Sequence, residues 1–235
     1  MRLAIDTATS RLSVALGRSA SSAQHETVEG ARQHAAALLP AIDRLLARTA
    51  VSRDAISSVV VADGPGSFTG LRVAAAVGKA LVAASEVEFW VVPSLLTQAK
   101  AGSGPGRITV GVSDALRGQC YAGAWLWLPD GIETILPPEA RTPASLRAAL
   151  PRPDAVVGWL PAATAALFTD WAPYLDLAHQ VDARVMLDLV GRPGGARLIV
   201  DPLAWEPEYG RPAEAQALWE ARHGRTLPHS SGGGG

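Results

Sequence analysis

The chain has a single cysteine, Cys120, among 235 residues, which excludes an intrachain disulfide and a thiolate metal cluster. Lysine is almost missing: Lys79 and Lys100 are the only two, and arginine supplies the rest of the basic charge. Charged residues make up 18% of the chain, below the ~25% of an average globular protein. A surface so poor in charge has apolar area to hide, on a partner if not in its own core. With 21 basic and 22 acidic side chains the net charge is −1, which argues against gripping nucleic acid by bulk attraction to phosphate. Long apolar runs are absent. Val59–Ala62 and Phe89–Val92 fall far short of the ~20 residues of a spanning helix, and Asp6 interrupts the first residues too early for a signal peptide. The expectation is a soluble cytoplasmic protein that does not engage a membrane.

Metal and nucleophile patterns are also missing. The histidines are His25, His34, His179, His223 and His229. None pairs with another at i,i+3 or i,i+4 and none adjoins Cys120, so no metal site is expected. No Gly-x-Ser-x-Gly elbow occurs, and Asp114, Asp130 and Asp182 form no recognisable acid–base pair. No cofactor is expected.

Apolar material is plentiful, at 48% of residues, enough for a sizeable core. Arg2–Asp6 and Leu12–Gly17 read as a strand hairpin, with a weaker third strand around Val28. Leu38, Ile42, Leu45 and Leu46 recur at helical spacing within a helix over Arg32–Arg48, which Pro40 should bend. Ser57–Ala62 is a β-branched run suited to a strand buried on both faces. Leu71–Ala84 is a helix apolar nearly all round, followed by a strand at Phe89–Pro93 and a helix starting at Ser94. Gly102–Arg107 is a flexible break. Beyond it come strands at 108–112, 120–128, 132–136 and 155–159, and helices at 143–150, 162–171 and 181–190. A terminal segment over 209–219 turns helical from Ala213, and Ser230–Gly235 is a disordered tail or a cloning remnant. No repeat of 20–50 residues is evident, although the second half runs through a second round of the same element order. The fold class is α/β, with two lobes and a mixed sheet. The expected division is 1–101, 102–212 and 213–235.

Three segments carry the functional reading. Gly64-Pro-Gly-Ser-Phe-Thr-Gly70 joins a buried strand to a helix. It fits neither a Walker loop, because Leu71 and Arg72 follow Gly70, nor a dinucleotide fingerprint, because its last glycine stands one residue too far. Its glycines serve a tight turn with Ser67 or Thr69 capping the helix, or its amides hold an anion, with Gly64, Gly66, Ser67, Thr69 and Asp6 as the candidate residues. Asp6-Thr-Ala-Thr9 is similar to the phosphate loop of actin-like ATPases, but Ala8 stands where a glycine would let the backbone approach phosphate. The alternative reading is a strand-ending Asp that caps its turn. Gly70, Ala74 and Gly78 form a small-residue ridge on a helix with no polar face. Such a helix is either central to its own core or completed by another helix or a second molecule.

Taken together, Asp6-Thr-Ala-Thr9, Arg32-Gln-His34 with Leu38-Leu-Pro40, Gly64–Arg72, Val92-Pro-Ser-Leu95, Asp114-Ala with Gly118–Tyr121, and Glu206-Pro-Glu-Tyr209 resemble the TsaB family in order and spacing over residues 1–212. The resemblance implies an actin-like, sugar-kinase-like fold of two lobes. It implies a non-catalytic subunit in the formation of threonylcarbamoyladenosine in tRNA. Such a subunit supports TsaD, the transferase that modifies the adenosine beside the anticodon. It further implies that the two early helices pair with their counterparts in TsaD, that a lone chain can pair with itself through the same surface, that the ATPase TsaE docks where the two subunits meet, and that tRNA is met only through the complex. The residues that would contact the partner are Arg32, His34, Leu38, Leu39, Ile42, Gly70, Leu71, Ala74, Ala75 and Gly78, and Arg at Leu38 or Ala75 should weaken the assembly. The sequence departs from the family at Asp114-Ala-Leu-Arg117, Gln119-Cys-Tyr121 and Tyr209-Gly-Arg211, so no role is carried to those positions. The competing reading is an actin-like ATP-dependent small-molecule kinase or ATPase in which Asp6 orders magnesium.

Overall fold

The computed structural model describes residues 1–30, 33–178 and 181–210. The expected terminal helix, the glycine tail and Arg32 lie outside the described residues. The first lobe opens as β1 (Arg2–Asp6) and β2 (Arg11–Gly17), an antiparallel hairpin in which Leu3 faces Leu16 and Ile5 faces Val14. β3 (Gln24–Glu29) extends it antiparallel to β2. The chain then crosses through α1 (His34–Thr49), which holds Pro40, into β4 (Ser58–Ala62), parallel to β1. All five residues of β4 are buried, as its β-branched run requires of a central strand. α2 (Phe68–Ser85) leads to β5 (Glu88–Val92), parallel to β4.

The second lobe repeats this plan. After α3 (Ser94–Ala99) come β6 (Ile108–Asp114), β7 (Cys120–Trp127) and β8 (Ile132–Arg141), then α4 (Pro143–Ala149), β9 (Ala155–Trp159), α5 (Ala162–Ala165), β10 (Tyr174–Asp176) and α6 (Arg184–Leu187). The strand orders are β3-β2-β1-β4-β5 and β8-β7-β6-β9-β10, so each lobe places its first strand at the centre, its hairpin partners on one side and its crossover strands on the other. This is the actin-like architecture the resemblance implies, and the duplication lives in topology rather than in a short sequence repeat. The second lobe is the reduced copy: α5 has 4 residues where α2 has 18.

Three differences from the expected elements have local causes. β8 is longer than expected and runs through Pro137 and Pro138; it is an edge strand, where a missing amide removes no ladder bond. Opposite those prolines the register slips between Ala122 and Trp125. The helices expected over 162–171 and 181–190 shorten to single turns at α5 and α6. Finally, the chain returns to the first sheet as β11 (Arg197–Leu198), antiparallel to β5. The first sheet therefore draws on both ends of the described chain, across the expected boundary at 101–102.

Each central strand of the first sheet buries two unlike faces. Leu3, Ile5, Leu12, Val14, Val59, Val61 and Phe89 pack beneath α1 and α2 with Leu38, Leu45, Ala74 and Ala75. On the opposite face Ala4, Ala15, Val60, Ala62 and Val92 meet Leu95, Trp125, Trp127, Met186 and Leu187. That second layer is the contact between lobes, and its alanines let the elements approach closely. The helices exchange places across it: α3 leaves the first sheet to lie on β6, β7 and β9, and α6 leaves the second to lie on β1 and β2. Gly111 of β6 is pressed so closely under α3 that a Cβ there would strike the Leu95 carbonyl. Ala183 donates its N–H to Ser13 Oγ at 3.0 Å, tying the entry to α6 to β2.

α2 is long and apolar enough, at 18 residues with mean hydropathy 1.3, to match a membrane span by length and composition. Its buried residues, Gly70, Leu71, Ala74, Ala75 and Gly78, pack onto the first sheet along one side, while Arg72, Ala76, Ala80, Ala83 and Ala84 stay exposed on the other. The apolar stretch was hidden from a search for unbroken runs because Arg72 and Lys79 interrupt it.

Candidate functional site

The glycine-rich loop is assembled by reciprocal hydrogen bonds with the β1–β2 turn. The Ser67 N–H donates to the Ala8 carbonyl at 2.7 Å and the Thr7 hydroxyl donates to the Gly70 carbonyl at 2.8 Å. Ser67 caps α2 by accepting from the Gly70 N–H at 3.2 Å, and its carbonyl takes the Leu71 N–H at 2.8 Å. The Ala8 N–H donates to Asp6 Oδ1 at 2.9 Å. The amides of Ala8, Ser67, Gly70 and Leu71 are therefore all engaged with protein acceptors. The glycines mark contact between chain segments: a Cβ on Gly66 would meet Ala8, and one on Gly70 would strike the Thr7 carbonyl and lie 3.3 Å from His34 Nδ1. Thr69 is exposed on the first turn of α2.

Sequence reasoning missed a strap over this loop. Residues 206–210 return from the second lobe, and the Glu208 N–H donates to the Asp63 carbonyl at 2.7 Å. The Gly64 backbone, at φ +104°, packs against the Glu208 carbonyl. The Tyr209 ring packs on Phe68 with centroids 4.5 Å apart and planes tilted by 44°, the Arg72 guanidinium lies over the Phe68 ring at 5.4 Å, and Glu206 bridges Tyr209 and Lys79 at 3.2 and 3.1 Å. Gly210 abuts Tyr121 and Pro65. The Glu206-Pro-Glu-Tyr209 motif was visible in the sequence; its contact with a loop some 140 residues upstream was not.

Burial perturbs the carboxylates here. Asp6 is buried and its acid is pushed up to about 6, the Ala8 N–H offsetting part of the shift; Asp6 Oδ2 has no hydrogen-bond partner among the described residues. Asp63 rises to about 7, first through burial and then through the neighbouring Glu208, with Arg197 at 3.5 Å pulling the other way. His34 is lowered by burial, opposed by its contact with the Ser10 carbonyl. Cys120 is buried and its thiol rises to about 11, chiefly through burial and then through Asp114, which makes it a packed side chain rather than a nucleophile. Among the described residues no group of three His, Cys, Asp or Glu side chains is placed to hold a metal.

The helix pair supplies the other candidate surface. α2 exposes Arg72, Ala76, Ala80, Ala83 and Ala84, with Val73, Val77 and Leu81 half-buried beside them. α1 exposes Ala35, Ala36 and Leu39 before turning charged at Asp43, Arg44 and Arg48. A solvent face carrying this many alanines and leucines and so little charge is unusual. The expected contact residues need correction. Leu39 is exposed, at 52%. His34, Leu38, Ile42, Gly70, Leu71, Ala74, Ala75 and Gly78 are buried against this chain's own sheet. The ridge of Gly70, Ala74 and Gly78 serves the approach of α2 to β1, β4 and β5, where Gly78 lies against Phe89 and Val61. Because α2 is apolar on every side, its periodicity carries no phase, and the sequence alone does not separate its buried side from its open one.

Residues 21–147 match the family model described as TsaD, tRNA N6-adenosine threonylcarbamoyltransferase. The chain is 31% identical over 135 residues to the tRNA threonylcarbamoyladenosine biosynthesis protein TsaB of Bacillus subtilis (strain 168), an alignment covering 57% of this chain and 59% of that one. It is 30% identical over 146 residues to the protein of the same name from Escherichia coli (strain K12), covering 58% and 62%. The chain thus spans about three fifths of the length of these curated relatives. Among solved structures, YeaZ from Pseudomonas aeruginosa superposes with a TM-score of 0.67 at 26% identity, over 81% of this chain and 90% of that one.

Proposed function

We propose, from the premise that this chain belongs to the TsaB family within the wider family of the tRNA N6-adenosine threonylcarbamoyltransferase model, that it is an accessory subunit in tRNA threonylcarbamoyladenosine synthesis. It binds and supports the TsaD transferase in the cytoplasm and performs no chemistry of its own. The observation that carries this reading is the open face of α1 and α2. Ala76, Ala80 and Ala84, flanked by Val73, Val77 and Leu81, give another helix pair a flat, small-residue surface for close packing. The family model spans both helices, so the transferase carries their counterparts, and two related helix pairs can meet about a pseudo-twofold axis. A second copy of this chain can use the same face when the transferase is absent. The ATPase TsaE joins at the junction of the two subunits, and tRNA is reached through the assembled complex. The engagement of the glycine-loop amides with Ala8 and Ser67 supports a structural role for that loop over the kinase or ATPase alternative.

The test is co-elution and calorimetry of the purified chain with TsaD. A one-to-one complex is expected at micromolar concentration. Ala76→Arg or Ala80→Arg should abolish it while leaving the thermal midpoint unchanged, because each places a charge on the open face rather than in the core. Binding unchanged in both variants would refute the reading.

A further inference from the structure

Asp63 directly follows β4 and is buried beneath the strap at residues 206–210. Its own N–H donates to the Val92 carbonyl of β5 at 3.0 Å, and the carbonyl of the next residue, Gly64, takes the Ser94 N–H of α3 at 2.8 Å. Those sides are fixed, because every residue of β4 and of α3 is buried. Two charged groups act on the Asp63 carboxyl among the described residues: Glu208 from the strap and Arg197 from β11, at 3.5 Å. The other charges nearby are engaged elsewhere. Asp6 of β1 accepts the Ala8 N–H, Lys79 of α2 pairs with Glu206, and Arg72 lies over Phe68. We infer that residues 206–210 are a proton-dependent latch, fastened over the glycine loop while the Asp63 carboxyl is neutral and lifted when that carboxyl gives its proton to water. The inference concerns this chain alone and does not depend on the proposed assembly.

Three observations make the strap the part that moves. First, an ionised Asp63 would set two carboxylates against one guanidinium. The Arg197 side chain is 59% exposed, so water screens its attraction, while the Asp63 side chain, at 6%, has almost no water of its own. The carboxyl accordingly keeps its proton to about 7, through burial first and Glu208 second. Second, the strap is held lightly. Glu208 gives it one backbone bond to the Asp63 carbonyl, and its other ties are side chains at the surface, Tyr209 on Phe68 and Glu206 with Lys79. Trp205, just before it, is buried against Phe89 at 5.1 Å and supplies a fixed pivot. A lift uncovers Pro207 and the Tyr209–Phe68 contact but leaves both faces of the first sheet closed, so water reaches the carboxyl at the least cost in buried area. Third, the strap spans the lobes: Gly210 lies against Tyr121 of β7 and against Pro65. Its release loosens a tie between them and frees Arg72 and Lys79 on α2. The sign follows from linkage. A free carboxyl ionises near 3.8, so opening grows about tenfold per pH unit from about pH 4 to 7 and levels off above.

The experiment is amide hydrogen exchange of the full-length chain from pH 5 to 8, each rate divided by its intrinsic value at that pH. The Glu208 amide is read beside the amides of β4. The expected result is a Glu208 protection well below that of β4, falling about a hundredfold between pH 5 and 7 and level above 7. Asp63→Asn, a neutral carboxyl of the same shape, should hold that protection within about threefold across the range. Glu208→Gln and Arg197→Gln sit at exposed positions and should keep the fold. The first removes a charge that favours the proton and should shrink the fall; the second removes one that opposes it and should enlarge the fall. A Glu208 amide as protected as β4 at every pH would show that the strap leaves only with the whole fold and would overturn the latch. The full fall persisting in a folded Asp63→Asn, or changes of the same sign in the Glu208 and Arg197 variants, would overturn it as well.

Discussion

Leu38 and Leu39 are neighbours of the same type with opposite surroundings, and exchanging each for Arg separates fold from interface. Leu38 is 0% exposed, in the layer beneath α1 with Leu3, Ile5 and Leu45. Removing a buried leucine costs about 2–5 kcal/mol through lost burial and the cavity left behind. An arginine forced into the same space adds an uncompensated charge worth about 3–5 kcal/mol more. The sum of roughly 5–10 kcal/mol matches most of the ~5–15 kcal/mol stability of an ordinary domain. Leu38→Arg is therefore expected to be unfolded or insoluble at 37 °C. Leu39 points outward, and a surface exchange of this kind stays within about 0.5 kcal/mol, a shift under about 2 °C for a chain of this size. Leu39→Arg should keep its circular dichroism spectrum and melting midpoint yet fail to co-elute with the transferase subunit. The assay is a melting curve beside gel filtration with TsaD. A well-folded Leu38→Arg that loses only the partner, or a Leu39→Arg that does not fold, would refute the assignment of faces.

Two further outcomes are expected. Asp63 holds a proton to about pH 7 in the folded chain against 3.8 in a free side chain, so its stabilising effect is complete below about pH 4 and is lost as pH rises through 7; at ~1.4 kcal/mol per unit the swing is about 4 kcal/mol. Denaturant titrations from pH 4 to 8 should show stability falling with pH and a distinctly shallower fall in Asp63→Asn, with Asp6 supplying a remaining slope of the same sign; identical slopes would count against the burial of Asp63 under the strap. Gly70→Ala should lower the melting midpoint by several degrees, because the added carbon meets the Thr7 carbonyl, and backbone cannot step aside as a side chain can. A midpoint within about 1 °C would show that the two loops are not in contact.

The hairpin of the first lobe, the buried strands at 58–62 and 88–92 and both long helices could be read directly from the residues. Their apolar periodicities are strong, and β-branched runs mark the central strands. β10 and β11 could not, since three and two residues carry no period, and their strand geometry comes from the neighbours they pair with. The exposed side of α2 was illegible for a different reason. Alanine and valine suit a core and a helix–helix contact equally, so only the position of β4 and β5 decides which residues remain open. The strap at Glu206–Gly210 depended on a contact that no local pattern encodes. The Gly64–Gly70 loop was legible as a turn with Ser67 or Thr69 as its cap, while the choice of Ser67 and the close packing against Thr7 and Ala8 appear only in three dimensions.

The exchange of α3 and α6 between sheets bears on motion. Kinases of two-lobed design swing about a hinge to open and shut on nucleotide. Here each half clasps a piece of the other, so gaping would peel Leu95 and Trp125 away from Ala4, Val60 and Ala62 and bare them to water. Opening of that kind would expose apolar side chains carried by both sheets, and that cost opposes it.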